Sequence, residues 1–271
     1  MPETQDVVIG DIDVLVIGGG AAGVFAALRA KQSGADKVIQ VDKARVGKSG
    51  ASCFAAGVMH VMFPDNDSLE DRVRRAVRAS GYLAQQELIE DHFRQSWPIT
   101  LEMESHGVAF IKAPGGEIQR QAGRGSHPVI MFGGPELMDA MSKAALKMGV
   151  IQANRVMVTD LLTHEGQVIG AVGFHTRTGQ FYVFKARSTV LATGSTRFKG
   201  SVMEGDRTGD GFTAAFRAGA TLMGAEAHEG LTNAMVVRYP IGPGMNMYVG
   251  EGARFINAKG ERFMERYNPT L

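Results

Sequence analysis

The sequence has a single cysteine among its 271 residues, and its charge is almost balanced. One cysteine excludes a disulfide framework within the chain, and it excludes a self-contained cysteine-based zinc or iron–sulfur site. The formal net charge is +1, from 29 basic and 28 acidic residues, and neither sign forms a long run. We therefore predict no bound metal, no nucleic-acid partner and no attraction to an acidic membrane surface.

Long apolar segments are also absent. The longest apolar runs have the length of a strand, far below the roughly 20 residues that a membrane-spanning helix needs. No basic stretch leads into an apolar one near the N-terminus, so we predict no signal peptide and no direct membrane insertion. These features predict a cytoplasmic protein.

Glycine, by contrast, is abundant. It accounts for 35 of the 271 residues, nearly twice the usual share of about 7%. The glycines cluster at the ends of apolar segments, where a backbone must turn sharply or approach a ligand closely. This placement is the first indication of a ligand-binding fold.

The first glycine cluster lies in a β-α-β pattern. Residues 13–17 predict a buried strand, 21–33 a helix and 37–41 a second strand,. Between the first strand and the helix, residues 18–23 read Gly-Gly-Gly-Ala-Ala-Gly, which satisfies G-x-G-x-x-G, and Asp42 follows 19 residues beyond Gly23. In this context the pattern predicts dinucleotide binding.

Each residue of this fingerprint has a physical role. Gly18 permits the tight turn, Gly20 lets the backbone approach a diphosphate, and Gly23 lets the helix pack on the strand. The helix N-terminus offers N–H groups and a positive dipole end to the diphosphate. Asp42 can accept hydrogen bonds from the ribose hydroxyls. The fingerprint leaves NAD and FAD as alternatives.

The second half of the chain favours FAD. Residues 190–192 form a strand that runs into the turn Thr193-Gly194, and Asp210 lies between two glycines sixteen residues past Gly194. An aspartate at the start of a helix, with no bulky neighbours, can accept hydrogen bonds from a polyhydroxyl chain. A flavin has such a ribityl chain, and a nicotinamide dinucleotide has none.

Periodicity predicts the remaining elements. Residues 43–63 are expected to be mostly loop with one short helix. Residues 111–134 are expected to form a hairpin or a long loop. Helices are predicted at 68–95, 98–106, 135–148 and 211–218, and strands at 156–162, 167–176, 180–186 and 189–192,.

Together these motifs resemble a known family, the flavoprotein subunits of fumarate reductase and succinate dehydrogenase, with L-aspartate oxidase and the adenylylsulfate reductase α subunit. The GGGAAG turn, the loop Lys48-Ser49-Gly50-Ala51, the ATG turn and the TGDG helix carry the resemblance. Residues 250–264 (GEGARFINAKGERFM) match that family's GEG…N…GERFM stretch. The resemblance covers nearly the whole chain, at five motifs in order.

The resemblance implies an α/β fold with a Rossmann-like, glutathione-reductase-like FAD-binding domain over 1–230, interrupted by helical and β-rich insertions at about 65–185. Residues 231–271 would begin a capping domain. The implied FAD contacts are Gly18, Gly20, Ala21, Ala22, Gly23, Asp42, Lys43, Lys48, Ser49, Gly50, Ala51, Ala56, Gly57, Met157, Ala192, Thr193, Gly194 and Asp210.

The sequence departs from the family at three places. Members that attach FAD covalently have a histidine directly after the loop serine, where this chain has Gly50, so we expect noncovalent FAD. The family's substrate histidine falls at Leu231 and its Thr-Glu pair at Met245-Asn246, so a small anionic substrate other than succinate or fumarate is expected. The family's proton-donating arginine lies beyond Leu271, and we expect a C-terminally truncated member.

Candidates for chemistry beyond the flavin are few. His60 ends the flavin-wrapping segment and could act as an acid or base, and Arg254 could clamp a carboxylate or phosphosulfate. Cys53 is either redox-active or a packed small residue. His127 lies in a basic segment with Arg120 and Arg124, which either binds an anionic substrate or is a solvated loop.

We predict an FAD-dependent oxidoreductase that moves a hydride or electron pair between a small anionic substrate and FAD. One alternative is an adenylylsulfate reductase α-like subunit. Because one cysteine cannot hold a cluster, the electrons would then pass to a separate iron–sulfur subunit. The other alternative is an FAD-binding module without turnover.

Overall fold

The computed structural model describes residues 6–53, 55, 57–65, 67–121, 129–196, 208–223, 254 and 256–267, and the backbone of 235–236 and 239–240. Its strands are β1 Val7–Ile17, β2 Val38–Asp42, β3 Val58–His60, β4 Val129–Met131, β5 Ile151–Asn154, β6 Val156–His164, β7 Gln167–His175, β8 Phe181–Leu191, β9 Met235–Val236 and β10 Tyr239–Pro240. Its helices are α1 Ala21–Gln32, α2 Leu69–Ala79, α3 Gln86–Ser105, α4 Gly134–Lys147 and α5 Asp210–Arg217, with a 3₁₀ turn at Phe263–Arg266.

A six-stranded sheet in the order β5-β2-β1-β8-β7-β6 forms the centre of the described fold. The first four strands run parallel, and β8, β7 and β6 form an antiparallel meander. The helix α1 connects β1 to β2, as a parallel crossover requires. The predicted α/β class with a β-rich insertion is confirmed.

The long strands β1 and β8 belong to both halves of the sheet. Residues Val14–Ile17 pair with β2 on one side and with β8 on the other. Nearer the start of β1, Val7–Ile9 pair with the part of β8 that also pairs with β7. Between these stretches the register shifts, and Asp11 has a φ of +53°. A bulge of this kind bends a strand and increases its local twist, so that β1 can take part in both halves of the one sheet.

Alternating residues of β1 face two separate cores. Val16 packs with buried residues of α1 and α4 such as Leu28 and Met138. Leu15 and Ile17 point to the opposite face and pack with residues of the meander, including Phe184. The parallel strands are therefore covered on both faces, which explains their continuous apolar sequence.

Several predicted element boundaries are wrong. The predicted helix 68–95 is divided at Ser80–Gln85, where Gly81 and Tyr82 have positive φ. Pro98 lies inside α3 instead of starting a new helix. The predicted strands 180–186 and 189–192 are one strand, β8, and β5 was not predicted at all. In the described part of 43–63 the chain forms turns and β3 instead of a short helix.

Within the described ranges, no helix is both long and apolar enough to cross a membrane.

Candidate functional site

The candidate site begins at the glycine turn between β1 and α1. Gly18 has a φ of +121°, and a Cβ there would lie 2.2 Å from the carbonyl oxygen of Ala192. A Cβ on Gly23 would lie 2.0 Å from the carbonyl oxygen of Gly18. Side chains at either position would collide with backbone that cannot move away. The turn therefore requires both glycines, which brings the start of α1 close to the ends of β1 and β8.

Asp42 lies at the end of β2 and is held by the loops around it. Its Oδ2 accepts a hydrogen bond from the backbone N–H of Gly19 at 2.8 Å. Its Oδ1 accepts from the N–H of Ala44 at 2.7 Å and from the Ser49 hydroxyl at 3.2 Å. The carboxylate thus connects the glycine turn to the loop 43–53. Its predicted contact with ribose hydroxyls stays a prediction.

Lys43 and Asp210 form an ion pair between two distant parts of the chain. Lys43 Nζ lies 2.9 Å from Asp210 Oδ2, at the start of α5, and 2.8 Å from the Thr208 hydroxyl. Thr208 also donates to Asp210 Oδ2 at 2.6 Å. Burial acts to raise the pKa of Asp210, but the hydrogen bonds from Thr208 and Lys43 and the lysine charge hold that pKa below its usual value. Asp210 is therefore ionised at neutral pH.

These elements surround a cleft of about 540 Å³, a size usual for sites that bind small molecules and cofactors. The N-terminus of α1, the loops after β2 and β8, the start of β6 and α5 form its walls. The predicted FAD contacts that line it are Gly18, Gly20, Ala21, Ala22, Asp42, Lys43, Ser49, Gly50, Ala51, Met157, Ala192, Thr193, Gly194 and Asp210.

Three of the other predicted contacts do not line the cleft. Gly23 packs behind the turn, against Gly18. Lys48 pairs with Asp139 on α4, Nζ to Oδ1 2.5 Å. Hydrogen bonds from Lys143 and Lys48 lower the pKa of Asp139 to about 2. Gly57 lies against the backbone of Phe132, directly after β4. Ala56 falls outside the described residues.

The candidate catalytic residues do not line the cleft. His60 ends β3, is exposed, and pairs in register with Val129 of β4. Arg254 is exposed. Both roles stay predictions, and His127 and Arg124 lie outside the described residues.

Cys53 is a packed residue of the core beneath the loop. Its side chain is buried, and its Sγ lies 3.2 Å from the carbonyl oxygen of Gly47, to which it donates. Burial raises the pKa of the Cys53 thiol, with Lys48 opposing and Asp42 adding to the effect. The thiol is therefore protonated at neutral pH, which does not favour redox chemistry there.

Among the cleft residues that were not predicted as site residues, Ser52 and Thr208 hold parts of its walls in place. Ser52 caps the start of α1, since its hydroxyl accepts a hydrogen bond from the N–H of Ala21 at 3.1 Å. Thr208 holds Asp210 as described above. Thr208 directly precedes the Gly-Asp-Gly motif and could have been identified from that motif. Nothing in the local sequence around Ser52 indicates a contact with a helix 31 residues away.

Comparison with known proteins supports this interpretation of the site. The family model described as FAD binding domain matches residues 13–270. One subunit of the fumarate reductase (CoM/CoB) of Methanothermobacter marburgensis is 29% identical, over 96% of this chain and 49% of its own length. The succinate dehydrogenase flavoprotein subunit of Rickettsia bellii is 27% identical, over 100% of this chain and 48% of its own.

A solved structure of adenylylsulfate reductase from Archaeoglobus fulgidus is similar to this chain with a TM-score of 0.77 and 28% identity, covering 98% of this chain and 45% of that one. The chain spans about half the length of the curated relatives it matches. Because the family model extends over both the glycine turn and the Asp210 segment, it covers every wall of the cleft. The chain belongs to the FAD binding domain family, and its cofactor is FAD.

Proposed function

We propose that this chain binds FAD noncovalently in the cleft and acts as the flavoprotein part of an oxidoreductase. The observation that carries the proposal is the arrangement of three groups around one cleft: the start of α1, Asp42 and Asp210. They come from distant parts of the sequence, and each suits a different portion of FAD.

The residues present fit that cofactor. The glycine turn adds no side chain of its own between the cleft and the N-terminus of α1, which suits a diphosphate. The Ser52 hydroxyl, which accepts a hydrogen bond from the N–H of Ala21, lies at the same helix end. Asp42 suits the hydroxyls of the adenosine ribose, and Met157 lines the same cleft. Asp210 is ionised and suits the hydroxyls of a ribityl chain. The bound cofactor supplies two-electron or hydride transfer, and the protein supplies binding and orientation.

Noncovalent attachment is supported by the residue that follows Ser49. Gly50 lines the cleft, has a φ of +77°, and has open space where a Cβ would be. It offers no nucleophile. A histidine here, the residue that links FAD in the covalent members that the sequence resembles, would be strained in this backbone conformation.

We further propose a small anionic substrate and an electron-transfer partner that carries iron–sulfur clusters. The resemblance noted above and the relatives' names support this proposal, since those names refer to fumarate and succinate, two small dicarboxylates. The Ser49-Gly50-Ala51 triplet favours adenylylsulfate reductase-like activity as the second candidate, as does the 28% identity to that enzyme. In this proposal residues 1–230 form the FAD-binding domain, 231–271 begin a cap, and the protein is cytoplasmic.

The first experiment is the visible spectrum of the purified chain before and after acid precipitation. We expect flavin bands that move into the supernatant, because Gly50 has no side chain that could hold the cofactor covalently. Bands that stay with the pellet contradict noncovalent binding. A colourless chain that also fails to take up added FAD contradicts the assignment of the cleft.

The same preparation distinguishes the substrates. Under anaerobic conditions, bleaching of the flavin bands that requires both sulfite and AMP supports the adenylylsulfate reductase-like candidate, whereas bleaching by sulfite alone reports only its addition to the flavin. Bleaching by succinate supports the dicarboxylate candidate. If a folded, FAD-loaded chain responds to neither, both candidate substrates are contradicted, and this result favours the alternative of an FAD-binding module without turnover.

A further inference from the structure

Gln40 is a buried polar residue in the middle of an apolar strand. It lies in β2 between Ile39 and Val41, and its exposed fraction is 0%. Burial of an amide side chain is unfavourable unless hydrogen bonds replace those it makes with water. An apolar residue of similar size would suit this strand better, so the amide needs an explanation.

The amide makes one hydrogen bond, and that bond is to the glycine turn. Gln40 Nε2 donates to the carbonyl oxygen of Gly18 at 3.0 Å. Among the described residues, the other amide atom, Oε1, has no hydrogen-bond partner. The carbonyl that Gln40 holds is the same one that Gly23 packs against. Gln40 therefore binds the turn at its most closely packed point.

Other peptide groups of the turn are fixed as well. The N–H of Gly18 donates to the carbonyl oxygen of Val41 at 2.8 Å, and the N–H of Gly47 donates to the carbonyl oxygen of Gly19 at 2.9 Å. Asp42 accepts from the N–H of Gly19. With the Gln40 contact, the three peptide groups from Ile17 to Gly20 each make at least one of these hydrogen bonds.

We propose that Gln40 is a positioning residue for the cofactor: by holding the Gly18 carbonyl, it fixes the turn in the orientation that presents the N-terminus of α1 to the FAD diphosphate. This inference rests on the proposed binding of FAD in the cleft. Gln40 does not line the cleft and acts only through the turn.

The test compares Gln40→Met with Gln152→Met. Gln152 pairs in register with Gln40 on the neighbouring strand β5, but its Nε2 donates to the Ser142 hydroxyl at 3.1 Å and not to the turn. Two quantities are measured for each variant: the Tm of the FAD-free protein, and the Kd for FAD by quenching of flavin fluorescence. Gln40→Leu serves as a second apolar replacement.

We expect Gln40→Met to weaken FAD binding about five- to tenfold, the equivalent of one hydrogen bond. The Tm without FAD should change by less than about 3 °C, because the replacement leaves the Gly18 carbonyl without a donor but also removes the unpartnered Oε1. Gln152→Met should leave the Kd within about twofold of wild type.

An unchanged Kd in either folded Gln40 variant overturns the inference, as does an equal loss of affinity in Gln152→Met. A large fall in Tm that accounts for the loss of binding shows a merely structural role and also overturns it. If the wild-type chain itself binds no FAD, the proposed function fails first, so the two failures are distinguishable.

Discussion

At the scale of single residues, the cleft depends on charged groups that hold loops in place. Asp42 connects the glycine turn to the loop after β2, and Asp210 connects the start of α5 to Lys43. Both carboxylates stand where the cofactor is proposed to bind, yet each is already oriented by the protein. Such orientation lowers the entropy cost of binding a flexible dinucleotide.

The Lys43–Asp210 pair predicts a coupling that depends on pH. The pKa of Asp210 is held below its ordinary value of 3.8. The ion pair therefore contributes its full stability to the fold at pH values well above 3.8, and this contribution is lost as the pH falls through the lowered pKa. We expect a double-mutant cycle with Lys43→Met and Asp210→Asn to give a coupling of about 0.5–1 kcal/mol at pH 7. Urea unfolding of the four proteins measures it, and the coupling should shrink below about pH 4.

If the effects of the two substitutions on the free energy of unfolding are strictly additive at pH 7, the proposed coupling between Lys43 and Asp210 is wrong. A coupling that stays the same from neutral pH down to about pH 3.5 would show that it does not depend on the charge of Asp210.

At the scale of elements, a buried ion pair connects the loop after β3 to α2. Both nitrogens of Arg72 that face Asp67 bind its carboxylate, Nε to Oδ1 at 2.9 Å and a terminal nitrogen to Oδ2 at 2.5 Å. The two side chains are only 1% and 8% exposed. Asp67 also accepts from the N–H of Phe63 at 3.1 Å, and the guanidinium lies 5.6 Å from the centre of the Phe93 ring. The pair thus fixes the loop against both α2 and α3.

Asp67→Asn should lower the free energy of unfolding by about 3–5 kcal/mol, because it leaves a buried guanidinium without its counter-charge. Asp65→Asn is the matched control. Asp65 is only two residues from Asp67 and pairs with Arg120, but the Asp65 and Arg120 side chains are 52% and 42% exposed. The loss of this exposed pair should therefore lower the free energy of unfolding far less than the loss of the buried one. If chemical denaturation gives the same loss of unfolding free energy for both substitutions, burial does not make the Asp67–Arg72 pair more important than the exposed one.

Element boundaries show where local sequence information was insufficient. Pro98 was the predicted start of a helix, but α3 begins at Gln86 and continues through it. Arg187 and Ser188 separated two predicted strands, whereas β8 runs through both. The pairing of β8 with β1, which is remote in sequence, extends past these residues to Leu191.

At the scale of the whole molecule, the second core joins the parallel strands to the meander. Phe184 of β8 is fully buried there, and its ring stacks on Tyr182 at 5.8 Å between centres. We expect Phe184→Ala to lower the free energy of unfolding by about 3–5 kcal/mol. Phe181 lies on the same strand but is 39% exposed, and Phe181→Ala should cost less than about half as much. Thermal unfolding measures both, and a similar cost for the two would argue against a shared core.

Local sequence was enough to identify the glycine turn, the acid after β2, the α/β class and the FAD family, because these depend on residues close together in the chain and on a motif with fixed spacing. Other contacts became visible only in the folded chain: Lys43 meets Asp210 across 167 residues, Ser52 caps α1, Lys48 turns away to Asp139, and Gln40 holds the Gly18 carbonyl. Contacts between distant residues follow from the order of the strands and the bulge in β1. No local pattern specifies that order, since the free energy that selects it is gained only when both cores close together.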